Sequence, residues 1–195
     1  LLILGQFALT NSRRVLEEQK FDHLNGLNLL KADEIVQWEN NHIRQIRALA
    51  QRPLVTEYAT ILVDPTIDAS MTAFAQAKLN EDHLLPALAN DSGFWELFLI
   101  DASNGRIVAA TDELDVGKDR SNELYFQEGQ REAFIQNIYF TPSLGEPTIT
   151  VGTPVKDSNG TVIAVLAGHL ELEGLSIIAR QANDLTISED TYLVN

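Results

Sequence analysis

Between Thr10 and about Gln51 the sequence has no proline and one glycine, Gly26, and most of its residues are good helix formers. Five side chains recur here at spacings of three and four, which places them on one face of a helix: Ile35, Trp38, His42, Ile46 and Leu49. A helix of about 40 residues is about 60 Å long, several times what a compact domain of this size needs. The stretch therefore favours a stalk or dimerisation helix, and the alternative is two helices that break near Gly26.

Residues 1–9 form an apolar run that begins without a methionine. A membrane-spanning helix needs about 20 apolar residues, so this run is either the end of a buried helix or the end of a transmembrane span. The long helical stretch that follows favours the transmembrane span. We therefore predict that residues 1–51 are a stalk helix that starts at a membrane.

Acidic residues outnumber basic ones, with 28 Asp and Glu against 14 Lys and Arg and a formal net charge of -14. Residues 1–60 hold seven of each sign, so the whole excess lies in residues 61–195. Such a surface repels phosphate backbones, and no cluster of basic residues in the sequence offsets it, which argues against nucleic-acid binding. The absence of cysteine excludes disulfides, thiolate zinc sites and thiol nucleophiles.

Prolines mark the ends of the predicted helices. Arg52-Pro53 ends the first helix, because the residue before a proline avoids the α region, and a short connector is predicted to follow. Asp64-Pro65-Thr66 predicts the start of a second helix of about 20 residues. Pro86 is expected to end or kink this helix before a turn at residues 90–93.

Stretches rich in branched and aromatic residues predict five strands, at residues 94–101, 106–111, 133–140, 147–155 and 161–171. Two of the turns between them contain Asn-Gly, which supplies the positive φ values that a tight hairpin requires. A long polar segment, residues 112–132, separates the second strand from the third, and such segments are usually lids or binding loops. The predicted fold class is α+β: a long N-terminal helix followed by a PAS-like five-stranded antiparallel sheet with helices and a lid, residues 112–132.

Four stretches carry a resemblance to a known family, and their order and spacing over residues 31–172 are fairly specific. They are the stalk segment 31–38 (KADEIVQW), the strand and hairpin 97–105 (LFLIDASNG), the lid segment 117–126 (GKDRSNELYF), and the hairpin 152–160 (GTPVKDSNG) with the strand 164–172 (AVLAGHLEL). In these stretches the chain resembles the Cache family of extracytoplasmic sensor domains, specifically the membrane-distal module of a double-Cache receptor. The resemblance implies that residues 52–172 form the distal module. Residues 173–195 would then be a connecting helix and the first strand of a truncated membrane-proximal module.

The resemblance also implies a function. The chain would be the sensor part of a transmembrane signalling receptor, either a histidine kinase, a chemoreceptor or a cyclase, located at the cell membrane with this part outside the cytoplasm, in the periplasm or the extracellular space. A small molecule, namely an organic acid, an amine or an amino-acid-like metabolite, would bind between the sheet and the lid, and no cofactor is implied. The N-terminal helix is a candidate for pairing with a second copy in a homodimer.

In the lid, the candidate ligand contacts are Arg120, Tyr125 and Phe126. The planar guanidinium of Arg120 matches a carboxylate, and the alternative is an ion pair with Asp115 or Asp119. Tyr125 and Phe126 occupy the paired-aromatic position of the resembled family and would form a wall of the pocket. The alternative is that they pack as core between the lid and the sheet.

On the sheet, the candidates are Tyr139 and His169, and alternation places His169 on a mostly apolar strand face. A lone histidine there is more often a core residue than a ligand contact. His169 is a candidate because amino-acid-binding members of the resembled family carry there an Asp that holds the ligand amine. Glu123 stands where many of those members have a carboxylate-binding Arg, so with both anchors changed the resemblance does not settle recognition of a free α-amino acid.

The sequence gives little support to a catalytic or metal-binding function. Its four histidines, at residues 23, 42, 83 and 169, have no ligand spacing, and it contains no glycine-rich phosphate loop or nucleophile elbow. We therefore predict that the chain is not an enzyme. The main rival to a sensor is a ligand-free structural or dimerisation module, which predicts a wholly apolar interior beneath the lid, whereas a sensor predicts a cavity with convergent polar groups.

Overall fold

A computed structural model describes residues 26, 28–89, 92–140, 145 and 147–180. The predicted transmembrane end at residues 1–9, the stalk up to residue 25 and the predicted strand at 188–195 lie outside these residues. Helix α1 covers residues 28–50. The other elements are α2 (Pro53–Val63), α3 (Ala69–Leu79), α4 (Leu85–Ala89), β1 (Phe94–Asp101), β2 (Ile107–Ala110), α5 (Leu124–Gly129), β3 (Phe134–Phe140), β4 (Pro147–Lys156), β5 (Val162–Leu170) and α6 (Glu173–Arg180). Within the described part, no helix is both long and apolar enough to cross a membrane.

The five strands form one antiparallel sheet in the order β2-β1-β5-β4-β3. Each predicted strand is present, and its ends lie within one residue of the predicted ones. The two Asn-Gly turns close as expected, since Gly105 and Gly160 have φ values of +73° and +83°. The aspartate that opens each turn accepts the backbone N–H two residues further on, at 2.8 and 2.9 Å. The predicted α+β, PAS-like fold with a long N-terminal helix is confirmed.

One face of the sheet is covered by helices. The predicted stripe of α1 is buried over the last turns of that helix, at His42, Ile46 and Leu49. The ring of His42 meets that of Phe94 on β1 edge to face, with 5.6 Å between the centroids. α2 packs against β2, β4 and β5. We call this side of the sheet the helix face.

The predicted connector after Arg52 is wrong, because the chain forms helix α2 there, from Pro53 to Val63. Pro53 restricts the residue before it and so ends α1. The same ring suits the first position of a new helix, where the missing N–H would have had no partner within the helix. α2 buries a stripe at spacings of four and three: Val55, Ala59 and Leu62.

The second predicted helix starts later than expected. Asp64 accepts a hydrogen bond from the backbone N–H of Thr66 at 2.8 Å, which makes a local turn instead of a cap. The N-cap is Asp68, whose carboxylate accepts from the backbone N–H groups of Ser70 and Met71.

Pro86 was predicted to end or kink this helix, and it does not end it. The turn before it, Asn80–Leu84, is a π-helix, in which the N–H of Leu85 donates to the carbonyl of Asn80. The wider turn accommodates the proline ring without a break, so the helix continues as α4 to Ala89.

The other face of the sheet is covered by the lid, and we call it the lid face. α5 packs on β3, β4 and β5. It approaches β4 so closely at Gly152 that a Cβ atom there would collide with the backbone carbonyl of Tyr125. Only glycine fits at that position. An apolar cluster lies beneath the lid: Phe98, Ile100, Ile107, Ala110, Tyr125, Phe126, Val165 and Ala167.

The chain divides into two compact units. The sheet, the lid and helices α2 to α5 belong to the unit Glu39–Gly174. In the other unit, the ammonium of Lys31 donates to the carbonyl of Ala179 in α6 at 2.9 Å. The predicted boundaries at 1–51, 52–172 and 173–195 stay predictions.

Candidate ligand-binding site

The lid is attached to the first hairpin of the sheet by backbone hydrogen bonds. The N–H of Arg120 donates to the carbonyl of Gly105 at 2.7 Å, and the N–H of Gly117 donates to the carbonyl of Ile107 at 2.8 Å. At its other end the N–H of Tyr125 donates to the side-chain carbonyl of Gln136 on β3 at 3.0 Å. These bonds fix the lid backbone, so its side chains reach defined positions over the sheet.

Arg120 forms a buried ion pair. Its Nη2 lies 2.8 Å from Oδ2 of Asp115, and both side chains are almost fully buried. Lys118 also contacts Asp115. Burial alone would raise the pKa of Asp115, but hydrogen bonds from Lys118 and Arg120 outweigh it and hold that pKa below its ordinary value. The pairing with Asp115 that the sequence left open is present, and a role for Arg120 in holding a ligand stays a prediction.

Tyr125 and Phe126 are both buried beneath the lid, with exposed fractions of 1% and 4%. The ring of Tyr125 lies edge-on to Phe98, with 6.0 Å between the centroids, and 6.3 Å from the ring of Tyr139. Burial raises the pKa of Tyr125 far above its ordinary value, so its phenol is neutral. The two residues belong to the interior between lid and sheet, and Tyr125 brings a hydroxyl into it.

His169 lies at the centre of this interior, surrounded by aromatic rings. The centroids of Trp95 and Phe98 lie 5.0 and 4.9 Å from that of the imidazole. Its Nδ1 is 2.7 Å from Oγ1 of Thr150, and that hydroxyl is 2.8 Å from the hydroxyl of Tyr139. Burial, with a smaller contribution from the positive charge of Arg120, lowers the pKa of His169 to about 3. The imidazole is therefore neutral at physiological pH.

Glu96 is a member of the site that sequence reasoning missed. In the register of β1 and β5 it lies opposite His169, and it is 3% exposed. Burial, reinforced by the carboxylates of Asp115 and Asp112, raises the pKa of Glu96 to about 7. The signal in the sequence was an acid inside an otherwise apolar strand, at an even spacing from Phe98 and so on the same face.

The contact between Glu96 and His169 is neither a hydrogen bond nor an ion pair. Oε2 of Glu96 lies 3.8 Å from Nε2 of His169, which is beyond hydrogen-bond range, and the neutral imidazole carries no charge to pair. Among the described residues, Oε1 of Glu96 and Nε2 of His169 have no hydrogen-bond partner. An unsatisfied buried polar atom costs about 1–3 kcal/mol, and such groups often mark a functional site.

The structure brings the sequence candidates together in one interior. Tyr125 meets both Tyr139 and His169 through its ring, at centroid distances of 6.3 Å. Phe126 lies in the same apolar cluster. The guanidinium of Arg120 is close enough to shift the pKa of Tyr125 and of His169. Whether these residues contact a ligand stays a prediction.

Trp95 links this interior to a cavity. Its ring stacks on His169, and it lines a cavity of about 390 Å³ together with Pro147 and residues 170–173. The volume falls within the range of about 300–1,000 Å³ that small-molecule sites occupy. In the part of the chain that the structure describes, no group of three His, Cys, Asp or Glu side chains is arranged to hold a metal ion.

No protein-family model matches the chain, and no curated protein matches its sequence. Solved structures match its fold, among them ligand-binding and sensor domains of bacterial receptors. The V. cholerae histidine kinase DctB sensor domain has a TM-score of 0.62 and 10% identity over 80% of this chain and 58% of that chain. The ligand-binding domain of the Pseudomonas fluorescens chemoreceptor CtaA with L-isoleucine has a TM-score of 0.57 and 21% identity, over 86% of this chain and 63% of that chain.

A third match is the ligand-binding domain of the Pseudomonas aeruginosa PAO1 amino acid chemoreceptor PctC in complex with GABA. Its TM-score is 0.55, with 18% identity over 80% of this chain and 66% of that chain. The chain thus has the Cache fold of chemoreceptor and histidine-kinase sensor domains, as the resemblance implied. It spans less than two thirds of the length of these three structures.

Proposed function

We propose that the chain is the extracytoplasmic sensor part of a transmembrane signalling receptor and binds a small molecule between the lid and the sheet. The likeness of its fold to sensor domains of chemoreceptors and of a histidine kinase supports this role. Its output would be that of a histidine kinase, a chemoreceptor or a cyclase. Helix α1 would lead to the membrane and pair with that of a second copy.

The observation that carries the proposal is the pair Glu96 and His169. Each presents a buried polar atom that has no hydrogen-bond partner among the described residues. The atoms lie within an aromatic enclosure that includes Trp95 and Phe98. A ligand that satisfies both atoms recovers the free energy that they cost the folded chain, and this recovery contributes directly to affinity.

The chemistry of the pair favours a nitrogen-bearing ligand. A carboxylate oxygen accepts hydrogen bonds, and Nε2 of His169 accepts one when Nδ1 donates to Thr150. An ammonium or amino group can donate to both acceptors, and a cation is also attracted to the surrounding aromatic faces. A simple organic acid is less suitable, because the guanidinium of Arg120 is already engaged by Asp115. Among the three ligand classes, we therefore favour an amine or an amino-acid-like metabolite.

A ligand-free structural module is the second candidate function, and one observation favours it. Tyr125 and Phe126 pack in the apolar cluster beneath the lid, as core residues do. This function does not account for Glu96, since a buried acid with an unsatisfied oxygen weakens a purely structural core.

The test is a thermal-shift screen of the purified chain against panels of amines, amino acids and organic acids. A ligand that binds only the folded state stabilises it by RT ln(1 + [L]/Kd) and raises Tm. We expect hits among the amines or amino acids. A screen in which no compound raises Tm would favour the structural module.

Variants of the same size locate a hit. In Glu96→Gln the side chain keeps its shape but loses its charge, and we expect the ligand-induced rise in Tm to disappear. The matched control is Glu113→Gln, which makes the same change at an exposed position of the lid and should leave the rise unaltered. A hit that is indifferent to Glu96→Gln binds elsewhere, and the proposed site would then be wrong.

A further inference from the structure

A second cavity, of about 400 Å³, shares no lining residue with the candidate ligand-binding site. Its walls come from four places in the unit that carries the sheet: the end of α1, the first turn of α2, the segment after α5, and the end of β4. Its charged lining consists of Arg47, Arg131, Lys156 and Glu132. We call it the basic cleft.

The basic cleft exists because the edge strand is short. The pairing of β3 with β4 begins at Phe134 and Gly152, so residues 153–156 of β4 extend past the start of β3. The space beside them is filled neither by a strand nor by the lid helix, which ends at Gly129. Lys156 from β4 and Arg131 from the segment after α5 therefore line the same opening.

The charge of the basic cleft is opposite to that of the surrounding sequence. Residues 61–195 contain 21 acidic and seven basic residues, yet two of the three charged side chains that they contribute to the cleft are basic, and the fourth charged side chain, Arg47 from α1, is basic as well. Nη1 of Arg131 donates to both carboxylate oxygens of Glu128, at 3.0 and 2.8 Å. Within the described part of the chain, Arg47 and Lys156 have no ion-pair partner. With Arg131 held by Glu128, the charges of Arg47 and Lys156 exceed that of Glu132, and an anion would relieve this excess of positive charge.

We propose that the basic cleft binds a small multivalent anion, a polycarboxylate or a polyphosphate. The guanidinium of Arg47 offers planar pairs of N–H donors for carboxylate or phosphate oxygens, and Lys156 adds a second positive charge. A ligand with two or three anionic groups matches these separated cations, whereas a single carboxylate engages only one. The bound anion would bridge the end of α1, the segment that follows the lid helix, and β4.

The test is isothermal titration of the purified chain with citrate and with pyrophosphate, at constant ionic strength. We expect saturable binding of at least one of them. Binding of citrate alone identifies a carboxylate site, and binding of pyrophosphate alone identifies a phosphate site. The double variant Arg47→Gln/Lys156→Gln should bind about tenfold or more weakly, because it loses two charge-assisted contacts.

Two further variants separate a site from general attraction to positive charge. Arg44→Gln removes an exposed cation one turn earlier on α1, outside the basic cleft, and should leave the affinity unchanged. Glu132→Gln removes the one acid of the lining and should strengthen binding by about two- to fivefold, a gain that a folding defect cannot produce.

The proposal is overturned if neither anion gives a saturable titration, or if Arg44→Gln weakens binding as much as the double variant does. It does not depend on the proposed sensor site. Glu96→Gln should leave anion binding unchanged, so failure of one site is distinguishable from failure of the other.

Discussion

The two faces of the sheet differ in what they bury. The helix face presents Leu97, Leu99 and Leu166, none of them more than 1% exposed, to the helices. The lid face combines apolar residues with buried polar groups that include Glu96, Thr150 and His169. Burial of apolar side chains on the helix face therefore stabilises the fold, whereas buried polar groups on the lid face reduce that stability.

The physical reason for this difference lies in hydration. An apolar side chain gains free energy when it leaves water, while a polar group loses its hydrogen bonds to water unless the protein replaces them. The helix face contains side chains of the first kind. The lid face holds polar atoms whose hydration is not replaced by any described residue, so it is the face with a reason to receive a ligand.

The largest expected effect is on the helix face. Leu99→Ala removes a side chain that is 0% exposed and leaves a cavity, so we expect the free energy of unfolding to fall by about 2–5 kcal/mol. Urea denaturation followed by circular dichroism measures this fall. The control is Leu114→Ala, the same change at a residue that is 81% exposed, where we expect little change. A similar loss in both variants would contradict the assigned role of the helix face.

The next effect concerns the lid face and depends on pH. The folded-state pKa of Glu96 is raised to about 7 from 4.5, so between these values the folded protein holds a proton that the unfolded chain has lost. Its contribution to stability is present at low pH and is lost as pH rises toward 7. The pKa of His169 is lowered to about 3 from 6.5. Its contribution has the opposite sign and rises with pH between 3 and 6.5.

The two contributions oppose each other between about pH 4.5 and 6.5, and variants separate them. Glu96→Gln should gain stability relative to the wild type as pH rises from 4.5 to 7, by roughly 2–3 kcal/mol in total. His169→Gln should gain relative to the wild type as pH falls from 6.5 toward 3. Denaturation curves at several pH values measure both differences. A Glu96→Gln difference that is constant with pH would show that Glu96 titrates normally.

The strands were predictable from the sequence because their signals are local. Alternation of side chains and the Asn-Gly turns depend on neighbouring residues only. The helix α2 was missed because proline both ends one helix and begins another, and the residues near Pro53 do not say which of the two follows. The residues around Pro86 left open whether the helix ends or kinks there, because no local pattern signals the π-helix before it.

The site was predictable only in part, for a similar reason. His169 was a candidate because of its position in the resembled family. Glu96 lies opposite it on a strand far away in the sequence, and this pairing becomes visible only with the register of β1 and β5. For Arg120 the sequence left two roles open, a ligand contact or an ion pair with a neighbouring aspartate. Only the path of the lid backbone in the structure shows that Asp115 is its partner.

The smallest of the three effects tests whether the polar groups of the lid face act together. The hydroxyl of Tyr139, the hydroxyl of Thr150 and Nδ1 of His169 form a chain of hydrogen bonds at 2.8 and 2.7 Å. Tyr139→Phe removes its first member, and we expect a loss of about 1 kcal/mol in the free energy of unfolding. Tyr58→Phe is the control, since among the described residues its hydroxyl has no recorded hydrogen bond.

A double-mutant cycle decides whether the chain is one unit. Once Thr150→Val has removed the middle member, the phenol of Tyr139 has no partner left to lose, so adding Tyr139→Phe should change stability much less than it does in the wild type. The coupling energy expected from direct contact is about 0.5 kcal/mol or more. Additive losses would mean that the three groups are independent, and that Thr150 and Tyr139 do not set the orientation in which His169 faces Glu96.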